Sequence, residues 1–259
     1  MVVDSVQQAC DLEAFLPTAW VDQAVVAGRH ELPPADGVRY LGAVDPAGGG
    51  ADAFTLSIVH IEGAGAGRRV VQDVMRGWAR PRGGGVDLEG IVREVAGLLK
   101  RYGLRQVSGD RYAAGWVVER FKAEGVRYEL PQLTMPGAAE PTYLDKAAAY
   151  LECEPLFAQG RIQLLDHPQL IRELKLLERR PRAGGRTLVD HPSHGHDDYA
   201  NALALAVAVA AREPVRPWAG ARFPATAYRA GEPAGGGPAG RARGGSVIGQ
   251  RTYVENWYR

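Results

Sequence analysis

Hydrophobic positions along this chain follow two periods. Residues 38–45 (VRYLGAVD), 53–63 (AFTLSIVHIEG) and 67–80 (GRRVVQDVMRGWAR) are short apolar runs separated by short, glycine-containing connections. Such runs predict strands, and connections this short predict an antiparallel three-strand meander. The period then lengthens. In residues 87–103, Leu88, Ile91, Val92, Val95, Leu98, Leu99 and Tyr102 share one helical face, with Asp87 as N-cap and Gly103 just past the end. Strand and helix patterns alternate from there. Residues 104–110 (LRQVSGD) predict a strand, 113–125 a helix stopped by Gly125, and VRYELPQL a further strand. Residues 141–160 predict a helix bent at Pro155, 161–165 a short apolar strand, 167–180 an amphipathic helix and 185–191 a strand. Residues 196–211 (HDDYANALALAVAVAA) predict a helix apolar on every side, hence a core helix. The order describes one α/β domain, its mixed sheet covered by helices on both faces.

The pattern divides the chain into residues 1–36, a helical lead-in (a short helix after Pro17) and linker broken by HELPPADG; residues 37–211, the body; and residues 212–259, a Pro/Gly/Arg-rich tail that buries too little to fold alone. At 259 residues, 46% hydrophobic and 24% charged, the composition is that of a water-soluble globular protein. No apolar run approaches a membrane span, and the N-terminus lacks the basic-then-apolar pattern of a signal peptide. Cys10 and Cys153 are the only cysteines, too few for a disulfide framework or a thiolate zinc site and consistent with a reducing cytoplasm. Net charge is +1, unevenly placed: from Arg212 onward there are eight Arg, no Lys and three Glu, a net of +5, so the preceding residues carry −4. A basic arm on a neutral-to-acidic body suits a polyanion partner, or is simply a solvated tail.

The candidate chemistry is acidic. Asp45 ends the first strand of the meander before a Pro-Ala-Gly-Gly-Gly turn, which leaves room for close approach of a phosphate. Asp110 ends a later strand, where open α/β sheets place ligands. Asp197 and Asp198 open the core helix, so two like charges are held close to the sheet, and a cation would compensate them. Asn201 shares their helical face. Each also has a plain structural reading, as turn residue, N-cap or dipole complement; Asp52 in the glycine-rich turn reads as structural. His191, His194 and His196 lie nearby, with His196 the best placed to stand beside a metal or phosphate. Hard oxygen ligands favour Mg²⁺ or Mn²⁺ over zinc. Arg111 and Lys146 read chiefly as solvated charge, with phosphate contact a weaker alternative.

Three segments, VRYLGAVDPAGGGADAFTLSIVH, VSGDRYAAG and TLVDHPSHGHDDYANALALA, together resemble the C-terminal nuclease domain of phage large terminase subunits. FLPTAWVDQAV resembles the segment that joins the terminase ATPase to its nuclease. The resemblance runs from about Phe15 to Ala211. It implies a ribonuclease H-like fold and a divalent-metal-dependent endonuclease, using two Mg²⁺ or Mn²⁺ ions, that cuts concatemeric viral DNA during genome packaging. It places the first acidic ligand on Asp45, the second on Asp110 and the third on Asp198 or Asp197. Related enzymes often carry Asp where this chain has Asn201. The implied partners are double-stranded DNA, a terminase ATPase, the small terminase subunit and the portal, in the host cytoplasm. The phosphate-cradling G-x-x-x-x-G-K-[ST] run of a terminase ATPase does not occur in this sequence. Alternatives are a branched-DNA resolvase or transposase on the same fold, an actin- or sugar-kinase-like ATPase, and a non-catalytic docking module of a packaging motor.

Overall fold

The computed structural model describes residues 13–46, 52–79, 87–110, 115–133, 142–181, 187–193 and 195–213. Cys10, the turn at 47–51, Arg111, His194 and the tail from residue 214 lie outside the described residues.

The meander forms as the alternation requires. β2 (Tyr40–Asp45), β3 (Phe54–Glu62) and β4 (Arg69–Trp78) pair antiparallel, Asp45 opposite Thr55 and Thr55 opposite Gly77. β5 (Gln106–Gly109) lies parallel to β2, β6 (Arg127–Glu129) parallel to β5, and β9 (Ile162–Gln163) parallel to β4. The result is a six-stranded mixed sheet in the order β6-β5-β2-β3-β4-β9. Successive residues of β2 face opposite sides: Tyr40 and Val44 enter one core, Leu41 and Ala43 the other.

The first core is closed by α2 (Leu88–Arg101) and α3 (Gly115–Ala123). Asp87 caps α2, its carboxylate accepting from Gly90 N at 2.9 Å, and Gly103 follows at φ 70°. The second core holds α1 (Thr18–Ala24), α4 (Lys146–Ala158), α5 (Pro168–Leu176) and α6 (Asp198–Arg212). Nine of the fifteen α6 residues are buried, most of them alanine, which lets the helix lie against β2, β3, β4 and α4. Arg68 closes its far end, donating to Ala210 O at 2.5 Å and Glu213 O at 2.9 Å.

Three expectations on local structure change. The helix predicted over 167–180 ends at Leu176: Glu178–Pro181 is β10, pairing antiparallel with β11 (Thr187–Asp190) and with β1 (Glu13–Ala14), a strand not anticipated in the lead-in. The adjacent arginines at 179 and 180 fit a half-exposed hairpin as well as a helix end, and only the pairing decides. VRYELPQL splits, because Pro131 interrupts it: β6 is followed by β7 (Gln132–Leu133), which pairs with β8 (Thr142–Tyr143). That pair takes the first residues of the helix predicted over 141–160, which begins instead at Lys146 after the N-cap Asp145 and runs on through Pro155 to Ala158. Among the described residues no helix is long and apolar enough to cross a membrane.

Candidate metal centre

Strand pairing decides where the acids go. Val44 sits beside Gly109 in the parallel β2–β5 pair, so the next residues, Asp45 and Asp110, leave the same edge of the sheet on adjacent strands. The start of α6 meets that edge. Asn201, one turn into the helix, donates through Nδ2 to Asp45 Oδ2 at 2.8 Å. Asp198 Oδ2 accepts from Ala53 N at 2.8 Å, and its backbone carbonyl accepts from Thr55 Oγ1 at 2.7 Å. The first turn of α6 is thereby stitched across the β2–β3 hairpin.

The two adjacent aspartates have different neighbours. Asp198 gathers with Asp52 and His196, their ligand atoms all within 4.8 Å of one another. Asp197 gathers with Asp190 and His191 in the same way, and its carboxylate is held by Lys146 Nζ at 2.6 Å and the Tyr150 hydroxyl at 3.2 Å. Lys146 also reaches Asp190 Oδ1 at 2.9 Å. This lysine, read from sequence mainly as solvated charge, is a bridge between two acids. Neither three-residue group contains Asp45 or Asp110, which join the acidic edge through strand register, Asn201 and the field of the neighbouring carboxylates. Asp52, read as a structural turn residue, stands beside His196 at 3.4 Å.

That field is strong. Burial pushes the Asp45 carboxyl up to about 7; the Asn201 bond pulls it back, and Asp198, Asp110 and Asp197 push it further. Burial also raises Asp198, against its bond from Ala53 and with Asp52 and Asp197. Burial would lower the Lys146 ammonium, but Asp197 and Asp190 outweigh it and hold its pKa above the ordinary value. Several acids at one sheet edge, the central one raised to about 7 by burial and further by its neighbours, form an arrangement that a divalent cation relieves. The donors are hard oxygens with a flanking imidazole, which suits Mg²⁺ or Mn²⁺.

Three positioning groups escaped the sequence reading. Tyr128, from β6, donates its hydroxyl to Asp110 O at 2.9 Å and lies across Gly109. A Cβ on Gly109 would stand 1.9 Å from that hydroxyl oxygen. Gly109→Ala should therefore expel Tyr128, cost about 1–3 kcal/mol and weaken Mn²⁺ binding; urea melts and calorimetric titration of the variant check both effects. Thr55 is the second group. Glu173 is the third: 3% exposed on α5, it accepts from Tyr199 N at 2.8 Å and Ala200 N at 3.0 Å, the first turn of α6. Its signal was present. Leu170, Glu173, Leu174 and Leu177 follow the i, i+3, i+4, i+7 spacing, so a carboxylate sits in an apolar stripe. A groove of about 440 Å³ lies at the other end of these elements, lined by Val38–Gly42, Tyr102–Gln106 and Glu213 among others.

No protein-family model matches the chain, and no curated protein does. Solved structures do. The large terminase nuclease from thermophilic phage G20c, with bound magnesium, superposes with a TM-score of 0.56 at 18% identity, covering 73% of this chain and 95% of that one. The HK97 bacteriophage large terminase gives 0.58 at 16% identity over 76% of this chain, which spans 44% of the HK97 protein. The K428A nuclease domain of the large terminase subunit gp2 of bacterial virus Sf6, with manganese and beta-thujaplicinol, gives 0.52 at 13% identity over 75% and 98%. The chain has the ribonuclease H-like fold of large terminase nuclease domains.

Proposed function

We propose that this protein is a divalent-metal-dependent endodeoxyribonuclease of a viral DNA-packaging motor, cutting concatemeric DNA. The observation that carries the reading is the acidic edge: Asp45 and Asp110 on paired strand ends, with Asp198 and Asn201 brought over them by α6, on a fold shared with terminase nucleases, one of them solved with magnesium and another with manganese.

In this reading Asp45, Asp110 and Asp198 hold two Mg²⁺ or Mn²⁺ ions, Asp45 between the other two. Bound ions supply an acidified water and charge neutralisation at the scissile phosphate. The protein's own side chains do the rest. Asn201 fixes the rotamer of Asp45, and the Ala53 amide fixes that of Asp198. Asp197 serves from behind: paired with Lys146 and Tyr150, it anchors the start of α6 to α4. His196, half exposed beside Asp52, is placed to meet the phosphate or the departing oxygen. Double-stranded DNA is the substrate, and a terminase ATPase, small subunit and portal are the partners, in the host cytoplasm.

Supercoiled plasmid incubated with Mn²⁺, Mg²⁺ or EDTA tests the reading. Nicked and linear products with either metal and none with chelator are expected. Intact plasmid with both metals, from protein that is folded, would end it. Preference for four-way junctions over linear duplex would move it to the resolvase alternative.

A further inference from the structure

The buried carboxylate of Glu173 has no part in the chemistry above, yet it holds two backbone amides in the first turn of the acid-bearing helix. The first N–H groups of any helix need acceptors, and at α6 the local candidate does not serve. Asp197, the N-cap residue, makes no side-chain capping bond, because Lys146 and Tyr150 hold its carboxylate. Glu173 supplies the missing acceptor from another helix: one oxygen takes the Tyr199 and Ala200 amides, the other takes the Gln169 side-chain amide at 3.0 Å. Tyr199, whose amide is held, also lays its ring, tilted by 35°, against that of His167, the N-cap of α5, at 4.9 Å between centroids, so α5 and its cap grip this turn twice. The turn so held carries Asp198 at its start and Asn201 at its end.

We propose that Glu173 is a positioning residue of the metal centre, capping α6 in trans so that Asp198 and Asn201 face Asp45 at the geometry a cation needs. This rests on the metal-dependent reading of that edge. A side chain placed for packing alone would be apolar, like Leu170 and Leu174 beside it; a carboxylate buried next to other carboxylates needs donors to hold it, here the Tyr199 and Ala200 amides and the Gln169 side chain. The split of roles follows: Lys146 neutralises Asp197, Glu173 replaces Asp197 as cap, and Asp198 is left free of both duties.

The test compares Glu173→Gln, Glu173→Met and Glu173→Asp in the full chain, by calorimetric Mn²⁺ titration and by cleavage rate against Mn²⁺ concentration. Gln keeps an acceptor oxygen at the same reach and should hold Mn²⁺ affinity within about threefold of the parent. Met and the shorter Asp should raise the Mn²⁺ dissociation constant and the apparent KM for Mn²⁺ about tenfold, with kcat at saturating metal within threefold. Folded Met and Asp variants that bind Mn²⁺ like the parent overturn the proposal, as does a lower kcat with KM unchanged. Hydrogen exchange in the unmodified protein decides the matter where the variants fail to fold. Tyr199 and Ala200 amides as protected as the interior of α6 support the trans cap, and fast exchange there refutes it. Absence of Mn²⁺ binding by the unmodified protein sinks the nuclease reading instead, while the exchange result still reports on the cap.

Discussion

Asp45→Asn is expected to abolish Mn²⁺-dependent cleavage while making the metal-free protein more stable at pH 8. The first effect should reach about a thousandfold or more, since losing a shared ligand forfeits at least about 4 kcal/mol of charge stabilisation at 1.36 kcal/mol per factor of ten. The second comes from linkage. The carboxyl of Asp45 titrates at about 7 in the fold against 3.8 outside it. The folded state therefore holds the proton more tightly than the unfolded state, and stability falls as pH climbs from 3.8 through 7, by about 4 kcal/mol at most. Asn carries no charge and escapes that loss, and its side-chain oxygen still accepts from Asn201. Thermal melts in EDTA should place the variant above the parent at pH 8, by roughly 5 °C or more, with the gap narrowing toward pH 4. Added Mn²⁺ should raise the parent's melting temperature and leave the variant's unchanged. A variant that still cleaves and still gains stability from Mn²⁺ removes Asp45 from the centre.

Lys146→Met should lower both stability and activity, although Lys146 lies outside the acidic edge itself. The ammonium ties α4 to Asp190 at the end of β11 and to Asp197 at the start of α6. Asp197 is 8% exposed at its side chain and Lys146 32%, so the pair is partly screened and its rupture should cost about 2–3 kcal/mol rather than the 3–5 of a fully buried one. The stranded Asp197 charge also adds to the field on Asp45, one of the acids that already pushes its carboxyl up. The acidic limb of the pH–rate profile should then move to higher pH. Combining Lys146→Met with Asp197→Asn should recover most of the lost stability and return the limb toward its original position. Urea melts of the four proteins, with pH–rate profiles of those that cleave, measure both couplings. Additive losses in the double variant would show that the two side chains do not act as a pair.

The parts legible in the sequence were those governed by local period. Strand runs ending at Asp45 and just before Asp110, the N-cap Asp87, the stop at Gly103 and the apolar α6 all follow from spacing that a single segment reveals. What sequence could not supply was partnership across the chain. Glu178–Pro181 joins a sheet only because β11 and β1 come to it from distant stretches. Asp197 and Asp198 are chemically identical neighbours, and only their surroundings, Lys146 and Tyr150 for one and the Ala53 amide for the other, separate their contacts. Asn201, noted for its helical face, turns out to hold Asp45, 156 positions away. Glu173 could have been flagged as a charge in an apolar stripe, but its target, the N–H groups of α6, is a tertiary fact.

The core helix is clasped at its two extremities, by Glu173 at Tyr199 and Ala200 with the β2–β3 hairpin at Asp198, and by Arg68 at Ala210 and Glu213. Its fifteen residues therefore act as a gauge of fixed length, about 22 Å along the axis. Removing or inserting a single residue between Asn201 and Arg212 would swing one extremity about 100° around the barrel of the helix relative to the other. Either the guanidinium clasp or the acids would then face the wrong way. In this segment the number of residues is constrained as tightly as their identity, and substitutions among small apolar side chains are the variation it tolerates best.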